Sequence, residues 1–193
     1  MEPDQARMTR TLRRVSPQAT QSDHDRFAVV DAALIRQKAR DAAANPRRRE
    51  VHRLHAEDGE TLHRMLNALQ PGTYVRPHRH LTPPKAEAFI LLSGRLGFVA
   101  FDDAGNFGRD DCLVLDAAAG SLAVDVPAGT WHAILALAPD TVVFEVKPGP
   151  FRPVSDKDFA TWAPAEGTPE ATTALMATED RLRAFLDLPP RPW

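Results

Sequence analysis

The residues best able to do chemistry lie in the stretch GTYVRPHRHLTPPKAEAFILLSG, from Gly72 to Gly94. His78 and His80 stand two apart, so on a strand both imidazoles point to one face. Two ring nitrogens so placed offer adjacent corners of a transition-metal coordination sphere. Glu87 follows a turn built around Pro83-Pro84 and shares strand parity with Phe89 and Leu91. A carboxylate on an apolar face needs a partner. Either a cation held jointly with the histidines or an ion pair with Arg76, Arg79 or Lys85 meets that need. A fourth candidate, His132, opens a strand-like run after the turn Pro127-Ala128-Gly129.

These side chains need β structure to bring them together, and the chain supplies it. AFILLSG is followed by RLGFVAF, and Asp102–Asn106 reads as a hairpin turn. SLAVDV, TWHAILAL and TVVFEVK succeed one another with Pro/Gly or Pro-Asp breaks between them. Eight to ten short strands at this spacing predict an antiparallel sandwich or barrel rather than βαβ units. Helical spacing of Leu34, Ile35, Lys38, Ala39 and Ala42 predicts a helix capped by Asp31 and stopped at Asn45-Pro46. SDKDFATWAP reads as a short helix that would lay Phe159 and Trp162 on the barrel. A longer helix opens at Thr168-Pro169 and carries Leu175, Leu182, Phe185 and Leu186 on one side. The division expected is a flexible polar arm over 1–26, a helix and lead-in over 27–55, a barrel over 56–154 and a helical extension over 155–193.

With these elements in place, the motifs resemble those of the cupin superfamily. Gly72-x5-His78-x-His80-x6-Glu87-x6-Gly94 is similar to the first cupin motif, and Gly120-x6-Pro127-x-Gly129-x2-His132 to the second. The six-residue gap before Glu87 exceeds the usual spacing, and Ala136 stands where the family often carries asparagine. The runs RRREVHRLH, HRMLNALQPGTYVRPHRH, PAGTWHAILAL, FEVKPGPF and DKDFATWAP resemble, more narrowly, the WbuC-type cupin-fold metalloproteins over about residues 45–166. The resemblance implies a mainly β fold, a jelly-roll (double-stranded β-helix) barrel with flanking N- and C-terminal helices. It also implies one divalent transition-metal ion per chain (Fe, Zn, Mn or Ni) on His78, His80, Glu87 and His132. Its association with surface-polysaccharide gene clusters implies a sugar or sugar-nucleotide substrate. An iron-dependent dioxygenase and a non-catalytic binding protein for a small anionic ligand are the competing readings.

Around the four ligands, Tyr74, Glu145 and Lys147 are candidates to move protons. Arg76, Trp131, His55 and His63 are candidates to contact a ligand. Strand parity, extended upstream from His78, would turn Tyr74 and Arg76 inward with the histidines, and an interior arginine calls for an anionic partner. Arg47-Arg48-Arg49 sits in a basic first segment, 12 Lys and Arg against 7 Asp and Glu over residues 1–55. It reads as a solvated run or as an anion contact near the pocket.

The bulk properties narrow the classes. The 193 residues are 43% hydrophobic and 26% charged, ordinary for a globular protein, and the net charge of −2 gives no global attraction to nucleic acid or anionic membrane. Cys112 is the only cysteine, so no intrachain disulfide forms. No secretory h-region and no long apolar run is visible, and a cytoplasmic protein is expected. The helices flanking the barrel offer packing surface to a partner, and a homodimer is expected.

Overall fold

In the computed structural model, described for residues 11–24, 26–152 and 157–192, the polypeptide forms two β-sheets facing one another, with one helix on the outside of each. Among the described residues there are twelve strands: β1 (Thr11–Ser16), β2 (Ala19–Asp23), β3 (Arg49–Arg53), β4 (Leu62–Leu69), β5 (His78–Arg79), β6 (Glu87–Ser93), β7 (Arg95–Phe101), β8 (Cys112–Asp116), β9 (Ala123–Val126), β10 (Trp131–Ala136), β11 (Thr141–Pro148) and β12 (Asp158–Phe159). Helix α1 is Ala32–Ala44 and α2 is Pro169–Phe185. The larger sheet runs β1-β2-β3-β4-β11-β6-β9 and the smaller β12-β5-β10-β7-β8. Every pairing is antiparallel except β2 with β3. This is a mainly β jelly-roll barrel with flanking helices.

Period-2 alternation sorts the side chains into three apolar clusters. Between the sheets, Leu69, Phe89, Leu91, Val126 and Val143 of the larger meet Leu96, Phe98, Leu115, Ile134 and Ala136 of the smaller. On the outer face of the larger sheet, Leu66, Ala68 and Val142 receive Leu34, Ala39 and Ala42 of α1. On the outer face of the smaller, Val99, Leu135 and Leu137 receive Leu175 and Leu182 of α2. Leu182 sits where β7 offers no side chain: a Cβ on Gly97 would lie 3.1 Å from its Cδ1.

The caps follow the sequence. Asp31 accepts from the Leu34 amide at 2.8 Å, and Asn45 ends α1. Thr168 accepts from the Ala171 amide, with Pro169 in the first turn of α2. Asp102 Oδ1 accepts from the amides of Ala104 and Asn106, closing the turn between β7 and β8.

Two expectations give way. The arm expected over 1–26 lies partly outside the described residues (1–10 and 25), but 11–23 form the β1–β2 hairpin at the edge of the larger sheet. Its buried residues are polar: Thr20 and Ser22 bond the two ring nitrogens of His52 at 2.9 and 2.8 Å, and Lys38 donates to Thr20. Buried hydrogen bonds hold the hairpin where apolar alternation would have announced it. The short helix expected over SDKDFATWAP, of which Ser155 and Asp156 fall outside the described residues, is also absent among those described. Residues 158–159 add β12 to the edge at β5, and Trp162 packs on Phe101 at 5.1 Å between ring centroids.

Candidate metal centre and its pocket

The four candidate ligands come from both sheets. His78 on β5 and His132 on β10 are direct cross-strand partners, so their rings share the inner face, 4.5 Å apart between centroids. Glu87 opens β6 on the opposite sheet and points into the same space. His80 lies just beyond β5, its carbonyl accepting from the amides of Lys85 and Gly129, which tie it to the turn leading toward β10. None of the four is more than 4% exposed. One ligand atom each from His78, His80 and Glu87 lies within 4.8 Å of the others, a group able to hold a metal ion.

The ring orientations suit that use. His78 Nδ1 lies 2.9 Å from the Arg76 carbonyl, and His132 Nδ1 lies 2.9 Å from the Thr130 carbonyl. A carbonyl only accepts, so each Nδ1 carries a proton and donates to it, which turns each Nε2 toward the interior. Such outer contacts are the usual means of fixing a metal-binding histidine. His132 Nε2 stands 2.7 Å from Glu87 Oε1, and both atoms are buried. His80 Nε2 is 3.6 Å from the same oxygen. Buried ligand-type atoms crowded on one point fit a cation among them.

Electrostatics agree. Burial by itself would raise the Glu87 pKa, but the His132 ring, with Lys147 and His80, overcomes it and holds the carboxyl at about 2. Burial first, then the Lys157 and His132 charges, pushes His78 well below its ordinary 6.5, leaving the ring neutral. Both groups are therefore in their metal-binding forms at neutral pH.

A cavity of about 170 Å³ opens on His78, Glu87 and His132, with Val75, Phe89 and Ile134 as apolar wall. A second, of about 380 Å³, shares Gln18, Val51, Asn67, Glu145 and Lys157 with it and extends to His55, His63 and Lys147. Glu145 stands at their junction, accepting from the Asn67 amide and lying 3.4 Å from Lys147 Nζ. His55 and His63 stack in parallel, 4.1 Å apart. Burial, the largest influence, lowers the His55 pKa to about 4.

Three expected residues are elsewhere. Residues 73–77 are not a strand, and Val75 takes the interior position that parity would have given to Tyr74 and Arg76. The Tyr74 hydroxyl donates to the Pro164 carbonyl, and burial raises its pKa to about 12, unsuited to proton transfer near neutrality. Arg76 donates to the Ala160 carbonyl and lies over Phe159. Trp131 alternates with His132 and so faces outward, its indole donating to Asp103 and Arg79 lying 4.3 Å over its ring. Sequence reasoning did not find Gln18, which lines both cavities, or Glu166; both bond Arg47. Each is an isolated polar residue outside any motif, so no pattern marks it.

Fold and site together define a jelly-roll barrel whose interior buries three histidines and one carboxylate side by side. Residues 30–113 match the model of a domain of unknown function (DUF6016), a span that takes in His78, His80 and Glu87 and stops before His132. No curated protein sequence matches the chain. Among solved structures it is similar to KdgF from Halomonas sp., at 18% identity over 55% of this chain and 82% of that one, TM-score 0.40. A cupin-2 domain from Rhodospirillum rubrum is 19% identical over 72% and 78%, TM-score 0.43. L-ribose isomerase from Cellulomonas parahominis is 17% identical over 62% and 72%, TM-score 0.45.

Proposed function

We propose that the chain binds one divalent transition-metal ion on His78, His80, Glu87 and His132 and acts there on a sugar or sugar-nucleotide. The observation that carries this reading is the buried convergence of these side chains, with His78 and His132 locked by backbone carbonyls so that Nε2 is the ligand atom. A bound ion would polarise a carbonyl or hydroxyl oxygen of the ligand as a Lewis acid. Glu145, at the junction of the two cavities, is placed to take or return a proton, and Lys147 balances its charge. Asn67 and the His55–His63 pair offer polar contacts to a hydroxylated ligand body. Isomerisation or epimerisation uses these parts: one polarised oxygen and one base beside an adjacent carbon. We further propose, from the likeness of its motifs to WbuC-type proteins, a role in bacterial surface-polysaccharide metabolism, for a cytoplasmic homodimer.

Elemental analysis of protein purified without added metal, beside His132→Ala, tests the centre. The expected result is close to one ion per chain, lost in the variant. Absence of metal from the wild type, with none taken up on addition, overturns the proposal. For the loaded protein, proton exchange at sugar carbons, followed by NMR in deuterated water and abolished in Glu145→Gln, is the expected sign of catalysis. One iron per chain with oxygen consumption would favour dioxygenase chemistry instead.

A further inference from the structure

A third cavity, of about 250 Å³, lies between the smaller sheet and α2, walled by the rings of Tyr74, Phe101, Phe107 and Trp162 together with Pro77 and Pro164. Phe101 alternates on β7 with Ala100, the cross-strand partner of His132, so the sheet itself separates this cavity from the metal centre. The rings hold one another in place. Phe101 meets Phe107 edge to face at 5.5 Å and Trp162 at 5.1 Å between centroids. A Cβ on Gly105 would lie 2.7 Å from the indole, so only glycine lets the β7–β8 turn close on Trp162. The Tyr74 hydroxyl is engaged by the Pro164 carbonyl. The aromatic wall is therefore formed before any ligand arrives.

Arg181 is the one charged residue lining this cavity among the described residues. Its guanidinium lies over the rings of Phe107 and Phe185, 4.7 and 5.2 Å from their centroids. No carboxylate stands beside it on the helix, where the positions three and four residues away are Ala177, Thr178, Ala184 and Phe185. The nearest acids in the chain are engaged elsewhere, Asp180 with Arg191 at 2.6 Å and Glu179 with Arg183 at 2.7 Å. Trp162 adds a second donor: its indole N–H is buried and has no hydrogen-bond partner among the described residues. A buried donor in that state favours an acceptor brought to the same wall. A positive charge and an unanswered donor on one aromatic wall fit an anion with an apolar body.

We propose that this cavity is a second ligand site, which takes a small aromatic carboxylate with its ring among the four aromatic side chains and its carboxylate on Arg181. The walls select the ring, because aromatic groups pack well edge to face or offset against one another. The volume limits its size. Pockets for drug-sized ligands run to about 300–1,000 Å³, so this cavity of about 250 Å³ suits a molecule of one or two rings. The guanidinium selects the charge, its paired N–H donors matching two carboxylate oxygens. The site uses neither the metal nor its ligands, so it stands or falls apart from the proposed function.

The test uses the full chain, chelator-stripped and metal-loaded, titrated calorimetrically with indole-3-acetate, indole-3-acetamide and acetate. In both forms the acid is expected to bind about fivefold more tightly than the amide, the size of an exposed ion pair. Acetate, which has no ring, should show no binding. Arg181→Gln should bring acid and amide to equal affinity. Ala177→Leu fills the cavity from α2 with a good helix former and should abolish binding of both. Both substitutions lie at exposed helix positions, which keeps the fold out of the comparison. No acid binding at millimolar concentration, equal affinity for acid and amide in the wild type, a preference that survives Arg181→Gln, or undiminished binding in Ala177→Leu overturns the proposal. Acid binding confined to the metal-loaded form would put the carboxylate on the metal centre, which overturns the second site and leaves the proposed function standing.

Discussion

Glu87 gives the sharpest measurable link between the site and stability. Its carboxyl is held at about 2 against an ordinary 4.5, because contact with His132 at 2.7 Å outweighs the cost of burial. A lowered folded-state pKa stabilises the protein above the unfolded value and loses that contribution as pH falls toward the folded one. At about 1.4 kcal/mol per pH unit, the metal-free fold gains on the order of 3 kcal/mol from this group at pH 5.5 and about half of that at pH 3. Glu87→Gln keeps the shape and removes the charge. Urea unfolding of chelator-stripped wild type and variant at pH 5.5, 4 and 3 reads the difference directly. The gap should be widest at pH 5.5 and about halve by pH 3. A variant as stable as wild type at pH 5.5, or a gap independent of pH, would refute the argument and mean that the His132–Glu87 contact stabilises nothing. The same depression means that cation uptake releases no proton from Glu87 near neutrality, so acid loss of metal must be governed by the imidazoles.

The remaining predictions concern the packing that holds the site and the second cavity. Leu182→Ala empties the seat of α2 over Gly97 and should cost about 2–5 kcal/mol, seen as a clear fall in the urea midpoint, with metal content unchanged because the site lies on the other face of that sheet. His55 is held at about 4 chiefly by burial, so only the unfolded chain takes up its proton near pH 6.5. Stability should therefore fall between pH 6.5 and 4, and urea midpoints of His55→Gln should fall less over that range; parallel slopes would contradict this.

How far the sequence could be read depended on where backbone regularity held. His78, His80 and Glu87 were legible as neighbours because each lies on or beside a strand whose alternation is set by apolar neighbours; ligand atoms of these three lie within 4.8 Å of one another, and His132 Nε2 approaches Glu87 at 2.7 Å. The barrel was legible for the same reason. Both helices were legible from caps, Asp31 and Thr168, whose side-chain oxygens accept the amide bonds their types promise. Parity failed one step upstream of His78. Pro77 has no N–H to continue a ladder. Residues 73–77 instead satisfy their backbone irregularly, Tyr74 through Arg49 and the Arg76 amide through Glu166. The register resets there, turning Val75 inward and Tyr74 and Arg76 out. The β1–β2 hairpin escaped notice because burial and polarity, normally opposed, coincide in Thr20, Gln21 and Ser22. A pattern of hydrophobicity cannot register a strand docked by hydroxyls on a buried imidazole. Yet this hairpin supplies Gln18 to both cavities, and Gln18 binds Arg47, which reaches across to Glu166 beyond the barrel. The pattern of ligand-type side chains is thus local and readable. The cavity wall of Gln18, Arg47 and Arg49 is assembled from segments far apart in the chain, and only the folded chain brings them together.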